Sequence, residues 1–251
     1  INEFLEANPE VLKDIRQIWM TGGEPFMDDS PYKLMELIEK YGHPEKIRMT
    51  ITTNGSKLDF NRLDEFKKLK RLSIDISIDS TGPMFEYMRS NGVFTWDQMK
   101  ETVDTLKEFK DLYPDWFHVQ INASYQIFNY NNIYDFVQFI ADRGFVSNIR
   151  LLMYPKHFRV GNLPDNLKEE AFTILDKCEQ KFNTEHYEDL QLRSMLDDLR
   201  AALREDISND ELGIDYFKKI VKEQDKFRGK YLYEYNKKLG EIVYGQEHNK
   251  L

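Results

Sequence analysis

From residue 15 to residue 155 the chain alternates short apolar runs with helical patterns, and that alternation restricts it to a parallel α/β architecture. The runs Ile15–Met20, Ile47–Thr53, Leu72–Ser77, Phe117–Tyr125 and Asn148–Tyr154 have the length and composition of strands, the first of them buried. Between them lie helical patterns at Tyr32–Tyr41, Phe60–Leu69, Trp96–Phe109 and Ile133–Arg143. Their apolar residues recur three or four apart, as in Met99, Val103 and Leu106, so each has one face for a sheet. Strand–helix–strand repeats of about thirty residues imply parallel strands with right-handed crossovers. Five strands fit a partial (β/α) barrel or an open doubly wound sheet, and periodicity does not choose between them.

After Pro155 the pattern becomes helical and highly charged. Asn166–Phe182 sets Leu167, Ala171, Leu175 and Cys178 on one stripe, and Tyr187–Leu203 does the same with Leu196, Leu199 and Leu203. Residues 214–243 carry a third run through Phe217, Ile220, Val221, Phe227 and Tyr231. The expected organisation is an α/β core over residues 1–155 and a helical region over 156–251. The helices read as packing elements, and Cys178 as a structural thiol on an apolar stripe. Asp225 and Arg228 read as a solvated helix pair worth roughly a few tenths of a kcal/mol.

Composition narrows the function. A formal charge of -9 argues against a nucleic-acid-binding surface. No apolar run approaches the length that crosses a membrane, and no signal peptide is visible. The one cysteine excludes an internal disulfide framework and fits a reducing, cytoplasmic compartment. His43, His118, His157, His186 and His248 are scattered without metal-ligand spacing. The chain opens on Ile1 within helix-like sequence and reads as a fragment whose natural N-terminus is missing.

In parallel α/β folds ligands bind beyond the carboxyl ends of the strands, so those ends carry the chemistry. The first strand runs into Gly22-Gly23-Glu24-Pro25. Two glycines bare the backbone to a ligand, Glu24 supplies a carboxylate, and Pro25 fixes the exit of the chain. Such a turn suits an ammonium group, although an ordinary strand-to-helix turn has the same residues. The second strand ends in Thr52-Thr53-Asn54-Gly55 and the third in Ser77-Ile78-Asp79-Ser80. Asn122 lies within the fourth, and Leu152 and Tyr154 within the fifth. Singly these have plain explanations. Asn-Gly is a common turn pair, Ser and Asp cap helices, and an Asn in a strand satisfies backbone groups.

Taken in order, the Gly-Gly-Glu-Pro, Thr-Thr-Asn-Gly and Ser-Ile-Asp-Ser motifs, then a strand with Asn and a final apolar strand, resemble the radical S-adenosylmethionine (radical SAM) core. The resemblance covers roughly residues 10 to 155 and is greatest to the branch with SPASM or twitch auxiliary domains, many of which modify peptides or proteins. It implies a partial barrel lacking its first strand, followed by the helical region. It also implies that Gly22, Gly23, Glu24 and Pro25 hold the methionyl amine of S-adenosylmethionine. Ser77 or Asp79 would accept from the ribose hydroxyls, Asn54 and Asn122 would lie in the same site, and Leu152 and Tyr154 would wall the adenine. Arg89, ten residues beyond Asp79, would pair with the cofactor carboxylate, a surface salt bridge being the plain alternative.

The chain departs from the family at one point. Members bind a [4Fe–4S] cluster through three cysteines spaced C-x3-C-x2-C, and a single cysteine cannot do this. Only 21 residues precede Gly22, so the first strand and the cluster loop read as cut off, and no metal ligand is expected in this chain. The complete protein would cleave S-adenosylmethionine reductively to a 5′-deoxyadenosyl radical. With an electron donor for the cluster, it would abstract hydrogen from a small-molecule, peptide or protein substrate. The helical region has no cysteine pattern for an auxiliary cluster. Two other classes stay open, a non-catalytic relative that keeps the barrel as a binding module, and a barrel enzyme for a phosphorylated ligand. The latter is weakened by the lack of a G-x-x-x-x-G-K-[ST] loop and by the charge of Glu24.

Overall fold

The computed structural model describes residues 2–90, 93–182, 187–205 and 213–245, so His186 and His248 lie outside the described residues. In chain order come α1 (Asn2–Ala7), β1 (Gln17–Met20), α2 (Ser30–Tyr41), β2 (Arg48–Thr53), β3 (Arg71–Ser77), α3 (Gly82–Met88) and α4 (Trp96–Leu112). Then follow β4 (Phe117–Tyr125), α5 (Ile133–Ala141), β5 (Val146–Leu151), α6 (Asp165–Phe182) and α7 (Tyr187–Arg204). The last helices are α8 (Ile214–Arg228), α9 (Leu232–Tyr235) and α10 (Lys237–Tyr244). Two compact units emerge, one of Ile1–Ser77 with Asp97–Ile121, the other of Ile78–Trp96 with Asn122–Leu251.

The strands take the order β1-β2-β3-β4-β5 in one sheet. β1 is parallel to β2 from Gln17↔Arg48 to Met20↔Ile51, and β2 to β3 from Arg48↔Arg71 to Thr53↔Ile76. Leu72 donates its N–H to the Trp116 carbonyl and Ile78 to that of Asn122, an equal step along β3 and β4 that fixes them as parallel. Leu152, just past β5, donates to Tyr125 at the end of β4, so the fifth strand runs the same way. Sequential strands joined by helical crossovers give the expected parallel α/β sheet.

In the first unit the register puts Met49, Ile51 and Thr53 beside Leu72, Ile74 and Ile76, all buried on one face. Thr50, Thr52, Ser73 and Asp75 occupy the other face and stay half-buried. β1 is shorter than the Ile15–Met20 run and is not buried, with Trp19 72% exposed. It lies at the sheet edge, so it lacks the second neighbour that buries a central strand. The Phe60–Leu69 pattern forms a 3-10 stretch, Phe60–Phe66, and not an α-helix. Leu63, Phe66 and Leu69 are buried three residues apart, which is the period of that tighter helix.

The second unit packs aromatic side chains around Phe128, whose ring lies 5.5 Å from Tyr87, 5.1 Å from Phe158 and 5.4 Å from Phe217. Cys178 is fully buried on the α6 stripe with Leu167, Ala171 and Leu175, and burial pushes its thiol up to about 12. The run over 214–243 is three helices, because Gly229 ends α8 in the left-handed region at φ 64° and Asn236 caps α10 through Leu239. Phe227 falls off the buried stripe and is 93% exposed. Asp225 is not a solvated partner of Arg228. It is wholly buried, because it continues the stripe of Phe217 and Val221 at four-residue steps. Among the described residues no helix is long and apolar enough to cross a membrane.

Candidate functional site

At the end of β1 the chain turns through Gly22 at φ 89° and Gly23 at φ 61°, a region that L side chains rarely enter. A Cβ at either glycine would meet nothing within 4 Å among the described residues. Glu24 caps the short 3-10 stretch Pro25–Met27 by accepting the Phe26 N–H at 3.2 Å. The same oxygen, Oε1, accepts the Thr53 hydroxyl at 2.6 Å, and Oε2 accepts the Asn54 N–H at 2.7 Å. A carboxylate has about four lone-pair sites, so one remains beyond these three donors. Thr53 also accepts the Gly55 N–H at 3.0 Å, and Asn54 turns its own side chain back onto the Ser56 N–H at 2.9 Å. The carboxyl ends of β1 and β2 are thus stitched by one half-buried carboxylate. Sequence reasoning missed Thr53, although a β-branched hydroxyl closing a strand beside Asn-Gly was visible.

In the second unit Asp79 organises the chain that leaves β3. Its Oδ2 receives Arg89 Nε at 2.6 Å and its Oδ1 the Ser124 N–H at 2.8 Å. Its carbonyl accepts from Asn129 Nδ2 at 2.5 Å, and that amide also bonds the Ser124 carbonyl at 2.9 Å. Asp79 is 8% exposed, so its carboxylate holds Arg89 and Ser124 where a ribose acceptor was expected. Arg89 pairs with this buried acid rather than with a surface partner, and its side chain stays 32% exposed. Nearby, the Thr81 N–H donates to Asn132 Oδ1 at 2.6 Å. Ser124, Asn129 and Asn132 left no sequence signal, since each acts on backbone or on a distant residue.

Ser77 closes β3 half-buried, and Asn122 gives its carbonyl to Ile78 while its side chain is half-buried. Leu152 and Tyr154 lie past β5, which ends three residues before the run read from sequence, at Leu151. Leu152 is half-buried, and Tyr154 is 73% exposed in the following loop. Among the described residues no group of three or more His, Cys, Asp or Glu side chains could hold a metal ion. Cys178 is buried on α6, so the described residues do not fit a [4Fe–4S] cluster. The bare Gly22-Gly23 turn with its pinned carboxylate does fit an amine-bearing ligand.

The family model of the radical SAM superfamily matches residues 2–126. Among solved structures, Streptococcus suis SuiB bound to S-adenosylmethionine is 17% identical with a TM-score of 0.46, over 66% of this chain and 37% of that one. The same protein bound to its precursor peptide SuiA is 19% identical with a TM-score of 0.42, over 65% and 36%. The chain therefore spans little more than a third of SuiB. Among curated proteins none matches the chain.

Proposed function

We propose that this chain, whose residues 2–126 match the radical SAM superfamily model, is the S-adenosylmethionine-handling part of an enzyme that modifies a peptide or protein. One observation carries the reading. The turn after β1 joins a backbone free of side chains to a carboxylate held in place by Thr53 and Asn54. In this reading Gly22, Gly23, Glu24 and Pro25 receive the methionyl amine, and Arg89 receives the carboxylate. Ser77, Asn54 and Asn122 line the nucleoside side, and Leu152 and Tyr154 face the adenine. Asp79 serves by holding Arg89. Residues 1–155 form the core, 156–251 the helical region, and the protein is cytoplasmic.

S-adenosylmethionine, together with a cluster whose ligands are not in this chain, supplies a hydrogen-abstracting radical, and an external donor supplies the electron. The chain's own residues bind and orient. A peptide or protein substrate is supported by the likeness of the core motifs to the SPASM and twitch branch.

Titration of S-adenosylmethionine into the folded chain, followed by ligand-detected NMR, tests the reading. Binding near millimolar, roughly 4 kcal/mol, is expected. Glu24→Gln should weaken it about tenfold by removing a charge-assisted partner of the ammonium. Asp215→Asn is the control, because Asp215 is 92% exposed in an i,i+3 pair with Lys218, and it should change nothing. Equal affinities for Glu24→Gln and wild type would make the turn purely structural. The barrel would then be read as a non-catalytic module.

A further inference from the structure

Arg89 follows α3, a seven-residue helix too short to hold itself in place. Its neighbours are tied instead to the helical region of the second unit. Two residues before it, the Tyr87 hydroxyl donates to Asp225 Oδ1 at 2.7 Å. One residue after it, the Ser90 carbonyl accepts from Lys230 Nζ at 2.9 Å. Asp225 is itself a closed hub, since Oδ2 also accepts the Leu232 N–H at 2.6 Å and the Tyr244 hydroxyl at 2.5 Å. Its donors come from α3, α9 and α10 while it stands on α8, so four helices share one carboxylate. Lys230 is bound to the same hub, donating its N–H to the Asp225 carbonyl at 3.3 Å. The Tyr87 ring rests between Tyr235 at 5.3 Å and Phe128 at 5.5 Å.

A wholly buried carboxylate is costly, and apolar residues would fill the same space more cheaply. What it adds is direction, because each hydrogen bond admits one arrangement of the elements that meet there. Burial and the neighbouring Asp225 carboxylate push the Tyr87 hydroxyl strongly upward, so it stays a donor throughout the working pH range. Tyr244 is pushed up in the same way, by burial first and then by Asp225.

We propose that Asp225 and Lys230 are positioning residues which clamp Tyr87 and Ser90 on either side of Arg89 and so aim its guanidinium from Asp79. The helical region would thereby set the geometry of a ligand-binding arginine, and only the identity of that ligand rests on the reading above.

Arginine Nε–H exchange measured by NMR on the whole chain tests the clamp without any ligand. Arg62 Nε, 2.7 Å from Glu65 in the first unit, is the internal reference. Tyr87→Phe keeps the ring and drops the hydroxyl, Lys230→Met drops the ammonium, and Lys230→Arg restores a cation. Both removals should speed Arg89 Nε–H exchange on the order of tenfold while leaving Arg62 unchanged, and Lys230→Arg should recover most of the protection. Asp79→Asn is the positive control. Unchanged Arg89 exchange in both removals, or equal acceleration at Arg62, would overturn the clamp. A second arm compares S-adenosylmethionine with 5′-methylthioadenosine, which lacks the carboxylate. The clamp variants should weaken only the former. If Arg89 exchange responds but Arg89→Lys leaves S-adenosylmethionine affinity intact, the clamp stands and the assignment of the ligand fails.

Discussion

Glu24 and Asp225 each gather three donors on two oxygens, yet they sit in opposite surroundings. Glu24 takes a hydroxyl and two amides at the open ends of β1 and β2, half in solvent. Asp225 takes two tyrosine hydroxyls and an amide with no exposure at all. The donor count is therefore no guide to role. Water can replace a lost partner at Glu24, and its remaining lone pair can meet a ligand. At Asp225 every bond made or lost is a matter of packing, because nothing else can reach the groups left behind.

Truncation separates the two most sharply. Asp225→Ala leaves two hydroxyls and an amide unpaired in the interior and should cost about 3–5 kcal/mol. Glu24→Ala, with water at hand, should cost about 1 kcal/mol. Urea unfolding followed by linear extrapolation reads both. Equal losses would mean that the buried hub relaxes around its hole, and the contrast would collapse.

Glycines give a second, smaller contrast. A Cβ on Gly240 would stand 2.4 Å from Tyr233 Cα, a backbone atom that cannot swing away, so Gly240→Ala should cost about 3 kcal/mol. Gly22→Ala meets nothing within 4 Å among the described residues and costs only the strain of its φ of 89°, about 1 kcal/mol. In S-adenosylmethionine titrations the order should reverse, with Gly22→Ala weakening binding and Gly240→Ala not. A Gly22→Ala chain that binds normally would remove the turn from the ligand site.

The smallest effect is on acid sensitivity. Burial lowers the pKa of His157, whose buried Nδ1 has no partner among the described residues, and burial with the Arg71 charge lowers that of His118. Arg71 Nη2 lies 3.1 Å from His118 Nδ1, an approach that requires the nitrogen unprotonated. Both folded values lie below the unfolded one. Their contribution is therefore full above about pH 6.5 and is lost as pH falls through the folded values, by at most about 1.4 kcal/mol per pH unit for each proton. His157→Phe should flatten the fall in unfolding midpoint below pH 6.5 through packing alone. Arg71→Met should do so by releasing His118 to protonate in the folded chain. An unchanged profile in either variant would show that histidine to titrate as it does unfolded.

Local sequence carried the sheet because its signals are local. Alternation in Met49, Ile51, Leu72 and Ile74 names the buried face, and thirty-residue spacing leaves parallel strands as the available connection. Gly22 and Gly23 announced a turn free of side chains for the same reason. Strand ends were less legible. Whether Asp79 waits for a ligand or holds Arg89 depends on Ser124 and Asn129, which lie 45 and 50 positions away. Asp225 was the hardest case. Its place on the stripe of Phe217 and Val221 was visible in the sequence, but a charged residue on a stripe is as easily an edge as a core. Tyr87, 138 positions away, decides between them by bringing a donor to it. Periodicity records which face of an element avoids water, and that much the chain determines by itself. Which polar groups meet inside is settled only when distant elements pack, since a hydrogen bond between remote residues leaves no period in the sequence of either.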